Sequence, residues 1–435
     1  MKSFLRKLVP EKLICMYHYL LAFSASLWYG SPSKRMIVIG VTGTKGKTSA
    51  INYIWSVLDA GGIKAGFVTT ANVRIGEKEI LNPFHMTMPG RFKLQRFLKE
   101  MADAKCEVAI VETTSQGISQ YRHIGIDYDV AIFTNLSPEH IDAHKTFENY
   151  KKTKGELFLA LSKSIAKKFR GDKFAKTIIT NADSEHSPYF NAFNAEKKVA
   201  FSAEKESANR ATNIRPGIVG AIFDMGGTHY ELSIPGVFNV YNAFPAIVIG
   251  EVFGINKEKI KKGLADLKLI PGRMEEIMEG QKFRVFVDYA HEKQSMAYVM
   301  EAGNNLKGAG SKLIILLGAE GGGRDKGKRP IMGEIVGKHA DIVVVSNVDP
   351  YEDDPTPIVE DIARAAEVAG KKRGENLFVI EDRREGIAKA LSLATEGDVV
   401  FITGKGAEQS MIIGGKTFPW DDRDVVREEL KKLSS

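Results

Sequence analysis

The residues of this chain best suited to chemistry form one glycine-rich stretch, Val41-Thr42-Gly43-Thr44-Lys45-Gly46-Lys47-Thr48. It follows the apolar run Met36–Ile39 and precedes a helical pattern, which predicts a strand, a tight loop and a helix N-terminus. Glycines let backbone N–H groups close around an anion, and a helix start adds partial positive charge. In such a loop Lys47 can neutralise the β and γ phosphates and Thr48 can bind Mg²⁺. The stretch predicts a nucleoside triphosphate site, although Val41 replaces the first glycine of the strict pattern.

Polar residues also stand just after two other predicted strands. Glu112 closes the apolar run 108–111, and His140 follows the predicted strand 130–134. A carboxylate in the first position either caps the next helix or binds metal, and a lone histidine is more often structural. Beside a nucleotide site, we expect Glu112 and His140 to hold a second Mg²⁺.

Composition restricts the class of protein. With 435 residues, 43% hydrophobic and 26% charged, the chain fits a soluble globular protein of two or three domains. The formal net charge of +7 suits anionic small substrates or a membrane surface, and gives no argument for nucleic acid. Cys15 and Cys106 are too few for a disulfide framework or a zinc site, so we expect free thiols in a reducing cytoplasm.

The first 34 residues form a separate apolar segment. No charged residue occurs from Leu13 to Ser33, and basic residues stand on either side. Tyrosines, serines and a tryptophan make this run amphipathic. We expect a helix packed on the body of the protein; a membrane-surface helix, with the protein peripheral at the inner face of the membrane, and a true span are the alternatives.

The remaining chain alternates between strand and helix patterns, which predicts an α/β fold. A central P-loop ATPase domain with a mostly parallel sheet is expected over residues 35–270, and a doubly wound, Rossmann-like domain over residues 271–435. A helix is predicted over 147–168, and an antiparallel pair is expected to turn at Gly226-Gly227. Ligands bind at the carboxyl ends of such parallel strands, so the motifs should gather in the cleft between the two domains.

From Gly40 to the C-terminus the sequence resembles the Mur ligase family, most closely its tripeptide-forming members. The resemblance rests on ten motifs in the family's order. Besides the glycine-rich stretch they include Glu112-Thr113-Thr114-Ser115-Gln116-Gly117, Gln120-Tyr121-Arg122, Phe133-Thr134-Asn135-Leu136-Ser137, Tyr150-Lys151-Lys152-Thr153-Lys154-Gly155-Glu156, Asn239-Val240-Tyr241-Asn242-Ala243, Pro271-Gly272-Arg273, Asp288-Tyr289-Ala290-His291, Arg324-Asp325-Lys326-Gly327-Lys328 and Gly404-Lys405-Gly406-Ala407-Glu408.

The resemblance implies ATP-dependent formation of an amide bond through an acyl phosphate. Carried over residue by residue, it assigns the phosphates to Lys47, the first Mg²⁺ to Thr48, and the second Mg²⁺ to Glu112, His140 and a carbamylated Lys154. An exposed helical lysine is the alternative for Lys154. The remaining matches are Asn242 near adenine, Arg273 and Asp288 near the γ phosphate and ribose with His291 assisting, Thr114, Gln120 and Arg122 on the acceptor peptide, and Asp349, Tyr351, Gly404 and Glu408 on the substrates.

Three departures from the family pattern bear on the substrates. About 35 residues precede the first strand where the family has a UDP-binding domain, so the acceptor is expected to be truncated, lipid-linked or not a muramyl peptide. The family motif Asp-Asn-Pro-Arg, found in members that add diaminopimelate, reads Val348-Asp349-Pro350-Tyr351 here, which favours lysine or another amine. Gln116 and Ala407 also replace histidines of the family.

Two other functions remain possible from the sequence. One is a polyglutamate-type ligase, as in folylpolyglutamate or poly-γ-glutamate synthesis, and the other is a P-loop kinase or transport ATPase. In the leading hypothesis the partners are an amino acid and a peptide-precursor acceptor, and the protein is a monomer.

Overall fold

The computed structural model describes residues 11–84, 86–138, 144–217 and 219–434. His140 lies outside these residues, so its expected metal role has no structural description. The N-terminal segment forms helix α1 (Glu11–Trp28) and a 3₁₀ turn (Pro32–Arg35). In the described residues, no helix has both the length and the apolar character needed to cross a membrane.

The first sheet contains eleven strands in the order β13-β12-β11-β10-β9-β6-β1-β5-β2-β3-β4. The strands are β1 (Ile37–Thr42), β2 (Ala65–Val68), β3 (Asn72–Ile75), β4 (Lys78–Leu81), β5 (Val108–Glu112), β6 (Val130–Phe133), β9 (Thr177–Asn181), β10 (Lys197–Ser202), β11 (Asn209–Pro216), β12 (Ala221–Met225) and β13 (Thr228–Leu232). The strands from β11 through to β2 run parallel, and antiparallel strands extend both edges. A separate hairpin joins β7 (Lys167–Phe169) to β8 (Asp172–Phe174).

Helices cover both faces of this sheet, which is why its central strands are apolar throughout. They are α2 (Lys47–Ala60), α3 (Arg91–Asp103), α4 (Ser115–Ser119), α5 (Phe147–Lys163), α6 (Ser187–Asn191), α7 (Asn239–Val252) and α8 (Lys257–Asp266). Ile39 of β1 packs into the core on the α2 face, and Val38 packs into the core on the α5 face. Such a strand has no solvent-facing side, so its sequence shows no alternation.

The second sheet has the order β14-β15-β19-β16-β17-β18. Its strands are β14 (Glu275–Ile277), β15 (Arg284–Asp288), β16 (Leu313–Leu317), β17 (Ile342–Val345), β18 (Leu377–Val379) and β19 (Val399–Thr403), and only β14 is antiparallel. The helices are α9 (Lys293–Leu306), α10 (Lys328–His339), α11 (Pro355–Val368), α12 (Arg383–Ser392) and α13 (Asp422–Ser434). A final hairpin pairs β20 (Ser410–Ile413) with β21 (Lys416–Pro419). We call each sheet with its helices a lobe.

The α/β class expected from the sequence is confirmed, and so is the antiparallel pair that turns at Gly226-Gly227. The predicted helix over 147–168 is too long, because α5 ends at Lys163. Ser164 adopts an extended conformation there, and Lys167 begins β7. The lysine-rich composition after Lys163 suits an exposed helix, but a buried contact of Lys167 determines the local structure.

That contact is a buried ion network at the amino ends of the central strands. The Lys167 ammonium donates to Asp129 Oδ2 at 2.6 Å and to the carbonyl oxygens of Ser33 at 2.7 Å and Met36 at 2.8 Å. Lys176 donates to Asp129 Oδ1 at 2.8 Å, and the Asp129 side chain has no exposed surface. The network therefore ties the segment before β1 to β6, β7 and β9.

Replacing Asp129 by asparagine should destabilise the protein by about 3 kcal/mol, because two buried ammonium groups would lose their only carboxylate in this network. The expected result is a lower Tm and a lower midpoint of urea denaturation. The control is Asp172→Asn, since Asp172 is exposed in the β7–β8 hairpin and should shift neither value. Equal stability of D129N and the unchanged protein would contradict the importance given to this network.

Candidate active site

The glycine-rich loop lies between β1 and α2, where the sheet order reverses. β5 lies on one side of β1 and β6 on the other, so the carboxyl ends of these three strands meet under the loop. Asn135, just after β6, fixes the loop by accepting from Lys45 N through Oδ1 at 2.8 Å and from Thr44 N through its backbone oxygen at 2.9 Å. This crevice is the place where parallel α/β sheets bind ligands.

Gly46 explains why the loop needs glycine immediately before the helix. Its φ of 78° lies in the left-handed region, and a Cβ at this position would lie 2.1 Å from Asn242 Oδ1. Any other residue would be strained and would clash with Asn242. The first turn of α2 lines the cavity through Lys47, Thr48 and Ser49, and a helix N-terminus there suits an anion.

The Lys47 ammonium is folded back over the loop. Its Nζ donates to the carbonyl oxygens of Gly43 at 3.1 Å and Thr44 at 3.0 Å. A phosphate bound against the loop would therefore lie close to the Lys47 ammonium without a large movement of the lysine.

Glu112 is a buried carboxylate at the end of β5, only 3% exposed. In the described part of the chain it accepts hydrogen bonds from Thr48 Oγ1 at 2.8 Å, Thr70 N at 2.9 Å and Thr70 Oγ1 at 3.1 Å. All three donors are neutral, so no charged donor of this set balances the buried negative charge. A carboxylate and a hydroxyl at this separation are the hard oxygen ligands that Mg²⁺ prefers, and the donor set fits that ion.

Lys154 reaches the same loop from α5. It is 1% exposed, so the alternative of a solvent-facing lysine is wrong. Its Nζ donates to Gly43 O at 2.8 Å and lies 4.5 Å from the centre of the Tyr150 ring. Nearby, His144 Nε2 lies 3.1 Å from Ser115 Oγ, and burial together with the Lys154 charge lowers the pKa of His144. Among the described residues no group of three His, Cys, Asp or Glu side chains could hold a metal, so the expected second metal site depends on Lys154 and His140.

The second lobe contributes a compact polar turn that faces the loop. Asp288 is buried, which raises its pKa, and its carboxylate accepts from Met274 N and Ala290 N, each at 2.8 Å. These bonds shape the segment that carries Arg273, whose guanidinium lies 4.2 Å from the centre of the Tyr289 ring.

His291 is neutral at pH 7, because burial lowers its pKa to about 4. Its Nδ1 lies 2.6 Å from Tyr289 O, so the ring proton is on Nδ1 and Nε2 is an acceptor. A buried, neutral acceptor of this kind is suited to a hydroxyl or N–H group of a nucleotide.

Both lobes line a single cavity of about 930 Å³. The predicted residues that line it are Gly43, Thr44, Lys45, Gly46, Lys47, Thr48, Glu112, Thr114, Gln120, Arg122, Lys154, Asn242, Arg273, Asp288, His291, Tyr351 and Glu408. This volume lies near the upper end of the range for small-molecule pockets, about 300 to 1,000 Å³, and suits a nucleotide together with part of a second molecule.

Asp349 and Gly404 do not line this cavity, although both were predicted to contact substrate. Asp349 is 1% exposed and accepts from Lys405 Nζ and Ile412 N, each at 2.8 Å. Lys405 also donates to Glu408 Oε2 at 2.8 Å, so Asp349 holds the lysine that contacts the cavity residue Glu408. Gly404 packs against Val348, where a Cβ would come within 2.9 Å.

Sequence reasoning missed several residues of the site. Thr70 holds Glu112, and Arg324 donates to the Tyr351 hydroxyl at 3.3 Å. Phe238 and Tyr298 stack across the two lobes with ring centres 5.5 Å apart and planes 15° apart. Thr70 follows the end of β2, so the strand-end argument applied to Glu112 identifies it too. No pattern in the sequence pairs Phe238 with Tyr298.

Models of two protein-domain families match most of the chain. The Mur ligase middle domain matches residues 41–250, and the Mur ligase, glutamate ligase domain matches residues 272–406. The chain is 35% identical, over 98% of its length and 85% of the other protein, to UDP-N-acetylmuramoyl-L-alanyl-D-glutamate--2,6-diaminopimelate ligase of Geobacillus kaustophilus. It is 36% identical to UDP-N-acetylmuramyl-tripeptide synthetase of Treponema denticola, over 93% of this chain and 78% of that protein.

Solved structures of related enzymes share the fold of this chain. A UDP-N-acetylmuramoyl-L-alanyl-D-glutamate--2,6-diaminopimelate ligase superposes with a TM-score of 0.60 and 28% identity, covering 92% of this chain and 79% of that one. Mycobacterium tuberculosis folylpolyglutamate synthase superposes with a TM-score of 0.68 over 95% of both chains, but at 18% identity this likeness concerns the fold alone. The family models and the relatives above 30% identity establish that the chain belongs to the Mur ligase family of ATP-dependent acid–amino-acid ligases.

Proposed function

We propose that this protein forms an amide bond between an amino acid and the terminal carboxylate of a muramyl dipeptide, with conversion of ATP to ADP and phosphate. One observation carries the proposal: the loop with Lys47 and the turn with Arg273, Asp288 and His291 come from different lobes and line the same cavity. A phosphate-binding loop alone would serve any nucleotide enzyme. A second set of polar groups facing it suits a reaction in which an acid meets the terminal phosphate.

The first step transfers the γ-phosphoryl group to the acid. A carboxylate oxygen of the acceptor attacks the γ-phosphorus, the bond from that phosphorus to the bridging oxygen breaks, and ADP leaves with the electron pair. Lys47 from one lobe and Arg273 from the other contact the negatively charged oxygens of the γ-phosphoryl group. They stabilise this charge while the group moves from ADP to the carboxylate.

The second step forms the amide. The amine nitrogen attacks the carbonyl carbon of the acyl phosphate. The bond between that carbon and the oxygen that bridges to phosphorus breaks, and phosphate leaves with the electron pair and takes up the proton that the amine loses. The acyl phosphate reacts with water as well as with amines, so enclosure between the lobes protects it from hydrolysis.

The proposal includes two magnesium ions, which when bound offset the charge of the phosphates. Thr48 would hold the first, and Glu112 with His140 and a carbamate on Lys154 would hold the second. Support for the carbamate is the position of Lys154, which is buried and lines the same cavity as Glu112 and Thr48. A carbamate carries a negative charge, and an amine must be neutral to react with CO₂.

The proposed incoming amino acid has one carboxylate and a free amine, as lysine does. Tyr351 lines the cavity where diaminopimelate-adding members of the family have arginine, and Arg324 beside it supplies one guanidinium. A guanidinium pairs with a carboxylate through two parallel hydrogen bonds, and tyrosine offers no such pair. A second carboxylate on the amino acid would therefore lack its partner at Tyr351.

Tyr351→Arg should raise the ratio of kcat/KM for 2,6-diaminopimelate over that for lysine by at least about tenfold, through the added guanidinium–carboxylate pair. The measurement is amide formation with each amino acid at saturating ATP. Tyr351→Phe is the matched control, because it keeps the ring and should leave the ratio unchanged. A ratio that Y351R does not move would place the amino acid elsewhere.

The proposed reaction is tested with purified protein, ATP, Mg²⁺ and a panel of amino acids, using UDP-N-acetylmuramoyl-L-alanyl-D-glutamate as the acid. Phosphate release that requires both the acid and an amine, with a product heavier by the amino acid minus water, is the expected result. Release with neither substrate present would indicate a transport-type ATPase. Formation of ADP and a stable phosphorylated acid, without free phosphate and without need of an amine, would indicate a kinase.

The polyglutamate-type ligase is not favoured, because the sequence relatives above 30% identity are muramyl-peptide ligases.

We further propose that residues 35–270 and 271–435 act as two domains that close over the substrates. The protein would work as a cytoplasmic monomer with residues 13–33 in contact with a membrane surface. Membrane contact is supported by the exposed apolar face of α1, where Trp28 is 79% exposed.

A further inference from the structure

From Leu13 to Trp28, helix α1 presents an apolar face to solvent. Large apolar side chains recur at intervals of three and four residues, which places them on one side of the helix. They are Leu13, Met16, Tyr17, Leu20, Phe23, Leu27 and Trp28, each between 47% and 79% exposed. The opposite side carries Ala22, Ala25 and Ser26, which are buried against the first lobe. A contiguous apolar surface of this size marks an interaction site.

The charges that flank the uncharged run in the sequence are mostly positive. Among the first 35 residues six are basic and one, Glu11, is acidic, so this segment carries five of the seven net positive charges of the chain. The basic residues stand before and after the uncharged run, at Lys2, Arg6, Lys7, Lys12, Lys34 and Arg35. Basic residues thus stand on both sides of the apolar run in the sequence, and one of them, Arg35, also pairs with Asp103 at 3.0 Å. This composition complements the acyl region and the negative headgroups of an anionic bilayer.

The same surface reaches one end of the cavity. Tyr19 of α1 contacts Tyr121 edge to face at 6.3 Å, and Tyr121 stands between Gln120 and Arg122, which line the cavity. Met86, which also lines it, is 47% exposed. This is the end expected to hold the acceptor, away from the phosphate loop.

A second contact extends the apolar surface in the same direction. Tyr29, just after α1, meets Phe92 edge to face at 6.4 Å, and Phe92 is 37% exposed. Arg91 beside it contacts Gln120 O. Apolar surface therefore continues from α1 to residues adjoining the cavity.

We propose that α1 lies in the surface of an anionic bilayer and that the acid is a muramyl dipeptide carried on a membrane lipid. The inference rests on the proposed ligase function and adds the carrier of the acceptor. With α1 in the headgroup region, the acceptor end of the cavity meets the membrane surface, so a lipid-anchored peptide reaches it by diffusing in two dimensions. The chemistry at the carboxylate is the same for a lipid-anchored and a UDP-carried acceptor.

The first test measures binding of the full-length protein to sedimented vesicles. One variant combines Met16→Gln, Leu20→Gln and Leu27→Gln, all on the exposed face. Its matched control combines Ile165→Gln, Met278→Gln and Val368→Gln, which are exposed apolar residues elsewhere. With phosphatidylcholine containing ~30 mol% phosphatidylglycerol, the α1 variant should bind at least about tenfold more weakly than the control. Vesicles of phosphatidylcholine alone should bind less of the unchanged protein.

The second test compares two acceptors that carry the same dipeptide. One is UDP-linked in solution, and the other is linked through a diphosphate to a prenyl chain in the anionic vesicles. We expect the α1 variant to lose about tenfold in rate with the anchored acceptor only. Equal rates of the variant and the control on the anchored acceptor would overturn the inference. It would also be overturned if light scattering showed a dimer of the unchanged protein and a monomer of the α1 variant, because the apolar face would then bind a second copy of the chain. Product from the UDP-linked acceptor but none from the anchored one overturns this inference alone, and product from neither overturns the ligase function itself.

Discussion

Lys47→Met should lower kcat by at least about a thousandfold while leaving the protein folded. Methionine fills a similar volume but removes the ammonium that lies over the loop, within 3.1 Å of Gly43 O. Positive charge at this position matters most as the γ-phosphoryl group moves between two oxygens, so the loss should fall on kcat more than on the KM for ATP. The measurement is acid-dependent and amine-dependent phosphate release.

Lys257→Met is the control for this substitution. Lys257 is also the first residue of a helix and also donates to a backbone carbonyl, that of Gly226 at 2.9 Å. It does not line the cavity, so its replacement should leave kcat within about twofold. Normal ligation by K47M would contradict the assignment of the phosphate loop.

Lys154→Ala should lower kcat by at least about a hundredfold, and addition of a small carboxylate such as acetate should restore part of it. The substitution leaves a space beside the loop where the proposed carbamate would place its negative charge. Acetate can occupy that space and supply the same oxygens. Removing dissolved CO₂ should lower the activity of the unchanged protein in the same assay.

Lys154→Arg separates this role from a purely structural one. Lys154 Nζ donates to Gly43 O at 2.8 Å, and arginine can donate there without forming a carbamate. If the hydrogen bond alone matters, K154R should be active and acetate should not help K154A. An inactive K154R, with acetate rescue confined to K154A, is the result expected of the carbamate. The nearby Lys152→Ala is the control, since Lys152 is exposed on the same helix.

The parts of the site that the sequence predicts are those built from short segments. The loop from Gly43 to Thr48 combines strand, glycines and helix start within a few residues, and each of these features has a local signal. Glu112 was found because it ends a strand and no local preference explains a buried carboxylate there. Parallel strands place their carboxyl ends at one edge of the sheet, and the ends of β5 and β6 meet the loop because these strands flank β1.

The parts that the sequence could not predict depend on contacts between distant segments. Asp349 was expected at the substrate, but its partner Lys405 stands 56 residues later and draws the carboxylate into the core of the second lobe. Lys167 was expected in the helix that ends at Lys163, but it lies in β7 and pairs with Asp129, 38 residues away. In both cases one buried ion pair outweighs the local preference, and nothing in a single sequence shows which charges will meet.

The stacked rings of Phe238 and Tyr298 join the start of α7 in one lobe to α9 in the other. If this stack persists while the lobes separate, it acts as a pivot and the two bodies swing widest at the end farthest from it. A lengthened peptide would then leave through that distant gap. ADP has the narrower exit if its adenine lies at Asn242 as expected, because Asn242 lines the cavity together with both rings. The order in which ADP and the lengthened peptide depart would follow from the position of one pair of rings.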